Sequence, residues 1–480
     1  MKKFSKAIKF ASLLLLAMTL IFAGCGGGGG GDDDDDDDNG TAGLSGANSV
    51  TGTVKSASGD PIAGTTVYIP GVQITAGLVG PSRTFNRSVI GSDGTVCEDP
   101  PIGDSSLAAA CTAADGTFTM DTSTVTGDPD QIVFQKGGLR LVSDLDCTAD
   151  PCILNTSETT FGNSATWPTV AVVTGYYDRI EDVLAKLADT DTSDTTNGSY
   201  GRVSNLTGIY VYGSEYNTNL TIIDGTGSTF PTENAGLVTY DTWGSYFDGT
   251  NSLLSDGSPV FDIIFINCGN FDESDILSTP SKLAQLQAYV NAGGRLYVTD
   301  LSYDFVEQPF PQVMRFENDP ADANTPGMLD DAEDGTSGVT LDAVVNDADF
   351  ANWLSTVSVN RHDASTPGNP DEDCQFGLPG AYEQITGALT SGGLIPIGDF
   401  LPGWAHMVSA HTGENPTIWI SSGSGVPFDG LVDRPLTVSQ SIGTNNGVVV
   451  YSSYHTADSC PTLTFWPQER ILQYLIFEVF

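Results

Sequence analysis

The stretch Phe261–Tyr303 constrains the fold more than any other part of the chain. Its first piece, FDIIFIN (Phe261–Asn267), is a short apolar run rich in β-branched and aromatic residues, which predicts a buried strand. The polar loop CGNFDESDILST follows. Thr279-Pro280 then supplies an N-cap and a proline at the first helical position. Leu283, Leu286 and Val290 fall at i, i+3 and i+7, one face of a helix, and Gly293-Gly294 marks its end because glycine accepts the left-handed conformation. RLYVTD (Arg295–Asp300) is the next apolar strand. Strand, helix and strand in about forty residues make a βαβ unit, so the two strands are expected to be parallel and the crossover right-handed.

The pattern continues on both sides. From about Trp167, PTVAVVTG predicts a strand, and Asp178 opens a helix with Ile180, Val183, Leu184 and Leu187 on one face. GIYVYG and LTIIDG are further strand candidates. Near the C-terminus TIWISSG, LTVSQSIG and GVVVYSSYH predict strands, the first with an antiparallel edge as its alternative. Pro467 begins a last helix with Ile471, Leu472, Leu475 and Ile476 on its apolar face. The region from about Glu307 to Asn415 is loop-rich, holds at least one short helix and reads as an insertion. A chain of 480 residues exceeds one ordinary core, so several domains are expected.

Ahead of this α/β part the periodicity changes. SVTGTVKSASGDPIAGTTVYIPG alternates apolar and polar residues around Val50, Val54, Ile62, Val67 and Ile69, with a turn at Gly59-Asp60-Pro61. Ala114-Asp115-Gly116 marks a second turn before TFTM, and QIVFQKGG is another strand candidate. The set Val50, Gly52, Val54, Gly59, Pro61, Ile62, Gly64, Val67, Ile69, Asp115, Gly116 and Phe118 resembles the carboxypeptidase regulatory-like family, a small transthyretin-like β-sandwich. The resemblance covers about 48–142, with an insertion around Ile74–Ala113. It implies a structural or adhesive module, and no zinc-ligand pair of the HxxE or HExxH type falls within that stretch, which holds no histidine.

The N-terminus predicts an address. Lys2, Lys3, Lys6 and Lys9 form a basic region, and an apolar stretch from Phe10 to Phe22 has the length of a signal-peptide core. Phe22-Ala23-Gly24-Cys25 resembles the lipobox of bacterial lipoproteins, which implies cleavage after residue 24, acylation of Cys25 and a membrane partner through that lipid. Gly26, in place of aspartate after that cysteine, resembles the outer-membrane sorting pattern. The runs Gly26–Gly31 and Asp32–Asp38 predict an extended tether over 25–47. The expected location is the bacterial cell envelope, at the outer membrane. A formal charge of −43 excludes nucleic acid as a partner and suits a solvated surface, while acidic loops leave calcium as the one cofactor to consider.

Cysteine placement fits export. Cys97 pairs with Cys111, Cys147 with Cys152 and Cys374 with Cys460 in the expected scheme, and Cys268 stays a buried thiol at the end of its strand.

VAVVTG with its helix, FDIIFINCG, the segment AQLQAYVNAGGRLYVTD and GVVVYSSYHT together resemble the class I glutamine amidotransferase-like, flavodoxin-like fold. The expected architecture is therefore multidomain. An N-terminal all-β sandwich of transthyretin or immunoglobulin type occupies 48–166. A C-terminal α/β three-layer domain with a parallel sheet occupies 167–480, with its insertion at about 307–415. Enzymes of the resembled family carry a cysteine in a G-x-C-x-G elbow after the strand matching RLYVTD. Here Asp300-Leu301-Ser302-Tyr303 stands in that place, and His455 lacks the family's H-x-E neighbour.

The expected role is thus binding or scaffolding, with an envelope glycan or protein as partner. The alternative is a hydrolase using Ser302 or a metal-bound water with His455 as base. Ligands of open parallel sheets bind beyond the carboxyl ends of the strands. Tyr176, Asp178, Asn270, Asp272, Asp300, Ser302, Asp304, Tyr454 and His455 lie on the loops expected there. This acidic and aromatic set disfavours phosphate and suits a neutral polyol, a sugar or a divalent cation.

Overall fold

The computed structural model describes residues 43–74, 87–161, 168–188, 220–225, 241–316, 341–362, 382–410 and 416–478, apart from short gaps within these ranges, and three single positions between 329 and 335. The signal segment, the tether up to residue 42, Cys25, Tyr176, Asn270, Asp272, GIYVYG, Cys374 and Cys460 lie outside the described residues. Residues 43–47, read from sequence as the end of an extended tether, belong to the fold instead, because Leu44 and Ala47 are buried in its core. The chain divides at Gly40–Thr41, and every described residue belongs to the second unit, Thr41–Phe480. The architecture is multidomain and predominantly β, with large sheets and helices in the minority.

Among the described residues, the N-terminal region holds a three-stranded and a four-stranded sheet, with two two-stranded pairs beside them, Lys55–Ser56 with Thr160–Phe161 and Arg87–Ile90 with Val96–Glu98. In the first sheet, Ser49–Thr53 runs between Cys152–Ile153 and Thr117–Asp121; in the second, the order is Ala108–Cys111, Thr66–Ile69, Gln131–Lys136 and Leu139–Asp144. The alternation seen in the sequence has the expected consequence in Thr117–Asp121, where Phe118 and Met120 are buried and the flanking residues are exposed. Phe118 meets Phe134 of the second sheet edge to face, with ring centroids 5.9 Å apart. Disulfides join Cys97 to Cys111 and Cys147 to Cys152, as the cysteine spacing led one to expect.

The larger sheet has ten strands, in the order Asp241–Thr242, Leu220–Asp224, Val170–Val173, Ile263–Ile266, Arg295–Thr299, Gly447–Ser452, Pro435–Ile442, Thr417–Ser421, Leu341–Val345 and Leu394–Ile397. The first six are mutually parallel. The βαβ expectation holds: Ile263–Ile266 pairs in parallel with Arg295–Thr299, and the helix Pro280–Asn291 connects them. Thr279 occupies the N-cap position, but its side chain makes no capping hydrogen bond there. Gly293, just past the helix end, takes a φ of +108°.

Successive side chains on these strands face opposite sides. Val172, Phe265, Tyr297 and Val450 join Ile180, Val183, Ile471 and Leu475 in one core, whereas Val173, Ile266, Val298 and Tyr451 join Leu286, Tyr289 and Val290 in another.

The other four strands depart from an all-parallel sheet: each pairs antiparallel with its neighbour. The cause is local for the first of them. Four residues separate Pro435–Ile442 from Gly447–Ser452, and such a short link can only reverse the chain. The region read as an insertion supplies the two outermost of these strands, Leu341–Val345 and Leu394–Ile397, along with the helix Ala348–Leu354. Long-range pairing, not local pattern, recruits them.

Side chains also join the N-terminal region to the larger sheet's surroundings. Arg470, on the C-terminal helix Pro467–Glu478, grips Asp60 with both terminal nitrogens at 2.7 and 3.0 Å. Lys136 pairs with Glu478, and the Trp353 indole donates to the Pro61 carbonyl at 2.8 Å.

Candidate functional site

Three adjacent parallel strands end at one place. Cys268 lies just beyond Ile263–Ile266, Asp300 directly follows Arg295–Thr299, and His455 comes shortly after Gly447–Ser452. Residues that follow the carboxyl ends of neighbouring parallel strands share one sheet edge, so these three side chains converge although they are far apart in sequence. Nε2 of His455 is 3.0 Å from Oδ2 of Asp300. The Cys268 thiol approaches the same Oδ2 at 3.7 Å. All three residues are buried.

The backbone holds this group in place. Asp300 has a φ of +46°, a left-handed conformation that a non-glycine residue adopts at a cost of about 1–3 kcal/mol. The Tyr451 hydroxyl donates to its carbonyl at 3.2 Å, and the Ala405 amide donates to Oδ1 at 3.0 Å. The Cys268 amide donates to Oγ1 of Thr299 at 3.0 Å. Gly175 makes room on the other side, since a Cβ there would sit 2.0 Å from the Cys268 carbonyl oxygen. The ring of Tyr177, itself exposed, lies parallel to the His455 ring at 6.4 Å between centroids.

Burial pushes the Cys268 thiol well up, and the Asp300 carboxylate beside it pushes in the same direction. Such a cysteine stays protonated at neutral pH and makes a poor free nucleophile. Burial also raises the Asp300 carboxyl, against the opposing pull of His455 and of the Ala405 amide. Burial, followed by the charge of Asp300, raises the Tyr451 phenol.

The residues expected from sequence divide into groups. Asp300 and His455 come together. Asp178 sits at the neighbouring strand end, where its Oδ2 accepts from the Thr456 amide at 3.1 Å, one residue from His455. The Ser302 hydroxyl is buried and donates to the Asn267 carbonyl at 2.9 Å. Asp304 is buried in the short helix Asp304–Glu307 and accepts from the Gln308 side chain at 3.3 Å. The Tyr454 hydroxyl shares a 2.6 Å hydrogen bond with Thr437. Tyr176, Asn270 and Asp272 lie outside the described residues.

Sequence reasoning missed Cys268 as a member of this group, treating it as a strand-end thiol only. The signal was there: its strand adjoins the one that delivers Asp300, so both residues had to reach the same edge. It also missed Asn267, whose amide donates to Glu181 at 2.8 Å and to the Asp178 carbonyl at 3.1 Å. Ala405 had no signal, because a backbone amide carries none.

No family model matches the chain, and neither a curated protein nor a solved structure matches it.

Proposed function

We propose that this chain is a lipid-anchored protein of the bacterial cell envelope that binds or scaffolds. In this reading, acylated Cys25 and a Gly/Asp tether hold the body at the outer membrane. A carboxypeptidase regulatory-like β-sandwich over 48–166 carries a class I glutamine amidotransferase-like, flavodoxin-like α/β domain over 167–480. That domain takes a polar ligand, such as an envelope glycan, at the carboxyl edge of its parallel strands and does not carry out amidotransfer.

One observation carries the non-catalytic part. Where the resembled enzymes place a cysteine elbow, this chain has Asp300, with a backbone φ of +46° and a carboxylate tied to the Ala405 amide. The nearby thiol, Cys268, follows a different strand, and its surroundings keep it protonated. A hydrolase working through Ser302 draws no support, because that hydroxyl gives its proton to a main-chain carbonyl.

The test uses the full-length protein in membranes. Glutamine should release no ammonia, a glutamine-like chloroketone should leave Cys268 unlabelled, and Cys25→Ser should move the protein out of the membrane fraction and abolish palmitate incorporation. Ammonia release that disappears in Cys268→Ser would sink the non-catalytic reading. Continued membrane partition and palmitate labelling of Cys25→Ser would sink the anchor.

A further inference from the structure

We propose that Cys268, Asp300 and His455 form a three-ligand site for a divalent transition-metal ion of the zinc type, with the fourth position left to water or to an oxygen of the bound ligand. The inference rests on the binding reading of this domain and adds the chemistry of what is held there.

The geometry suits such an ion. The donor atoms of the three side chains all lie within 4.8 Å of one another. Oδ2 of Asp300 is 3.0 Å from Nε2 of His455 and 3.7 Å from Sγ of Cys268. Zinc bonds of about 2.0 Å to nitrogen or oxygen and about 2.3 Å to sulfur, at tetrahedral angles, give ligand-to-ligand edges of roughly 3.3–3.6 Å. The observed separations bracket that range, so small rotations of the side chains would seat an ion.

The arrangement is also pre-oriented. Oδ1 of Asp300 is taken by the Ala405 amide, which turns Oδ2 toward the other two donors. The Cys268 backbone is fixed through Thr299, and the Asp300 backbone through Tyr451. Contacts of this kind around a ligand set its direction and tune affinity. A histidine–aspartate pair that served only to pack would need no thiol on the same carboxylate oxygen. Among the described residues Cys268 is the one cysteine left out of a disulfide, in a chain that oxidises its other described cysteines.

Donor chemistry selects the metal. Sulfur and imidazole nitrogen favour zinc and its neighbours, whereas calcium takes six to eight oxygens. The two positive charges of the ion would offset a thiolate and a carboxylate that burial otherwise penalises. Three protein ligands with one exchangeable position is the pattern of zinc sites that meet a ligand, in contrast to the closed four-ligand structural sites.

The experiment uses the full-length protein in detergent with its disulfides intact, stripped with a chelator and then titrated with Zn2+ or Co2+. One ion per chain should bind. The cobalt form should show thiolate-to-cobalt charge-transfer absorption and the intense visible bands of tetrahedral cobalt. Cys268→Ser should remove the charge-transfer band, and each of Cys268→Ser, Asp300→Asn and His455→Gln should weaken zinc binding by about tenfold to a hundredfold or more. These residues are buried and their variants can misfold, so the wild-type protein alone decides the matter. A cobalt form without the thiolate band, as expected if ions sit only on carboxylates such as Asp32–Asp38, overturns the proposal, and so does a failure to take up any ion. Neither readout depends on lipidation or on glutamine hydrolysis, so this inference can fail while the binding reading stands.

Discussion

The N-terminal region and the ten-stranded sheet treat cysteine differently. Cys97, Cys111, Cys147 and Cys152 are cross-linked between short strands and loops, while Cys268 is kept as a thiol, buried against Asp300 and His455. Size explains the contrast. The small sheets have limited apolar surface to bury, and cross-links restrict their unfolded chain instead. The large sheet has a packed core on each face, supplied by strands such as Val170–Val173 and Ile263–Ile266 in which nearly every residue is buried. It can stand without cross-links and can hold a polar group at its edge. The difference teaches that in this molecule the disulfides staple the smaller sheets, although strands such as Thr66–Ile69 and Gln131–Lys136 are themselves buried, and that the free thiol sits at the edge of the larger sheet, where a site can form.

The largest expected effect comes from cutting one of the links between the two regions, that of Arg470 to Asp60. Arg470 is buried, holds Asp60 through two hydrogen bonds and donates to the Ser358 carbonyl at 2.9 Å through Nε. Arg470→Ala leaves that carboxylate and carbonyl without their partner and should cost about 3–5 kcal/mol. Denaturant unfolding followed separately by N-terminal and C-terminal probes should then show two transitions in place of one. A variant that still unfolds in a single, unshifted step would mean that the regions are joined by something other than this contact.

Next in size is the disulfide effect. Cys97 and Cys111 are 14 residues apart, and chain entropy gives such a loop about 3 kcal/mol. The double variant Cys97→Ala, Cys111→Ala should lower stability by that order, with hydrogen exchange accelerated in the N-terminal strands and little changed in Ile263–Ile266 and Arg295–Thr299. Acceleration spread evenly over both regions would break the proposed division of labour.

The smallest effect lies at the junction and depends on pH. Asp349 is half-buried, and its carboxyl is raised first by burial and then by the charges of Asp347 and Glu478. The folded state therefore keeps a proton that the unfolded chain releases. This contribution to stability is fully present below the ordinary value of 3.8 and is lost as the pH rises through the raised value. Asp349→Asn should remove the loss, so its Tm should gain on that of the wild type between about pH 3 and pH 7. A Tm difference that stays constant across that range would show that Asp349 does not titrate in this way.

Much of the architecture was legible because it is local. FDIIFIN, the proline-started helix and RLYVTD declare themselves through period and composition, and their parallel pairing follows from the helix between them. The same holds for Pro435–Ile442 and Gly447–Ser452, although their short link makes them antiparallel. The two outermost strands were not legible, since Leu341–Val345 and Leu394–Ile397 sit in a stretch with little periodicity and find partners only through the sheet. At the site, fold position alone led to Asp300 and His455. Cys268 and the supporting Ala405 amide became visible only in three dimensions.

The sequence by itself determined the strands and helices with a clear period, such as Ile263–Ile266, Pro280–Asn291 and Arg295–Thr299, and pointed to the two described disulfides. These properties depend on neighbours a few positions apart, where period, turn chemistry and loop length act directly. Only the tertiary structure decided that Arg470 reaches Asp60 across 410 positions, and that a thiol, a carboxylate and an imidazole from three strand ends meet around one oxygen atom. Strand order in a sheet is set by the total burial of all its strands at once, and no local stretch of sequence encodes that sum.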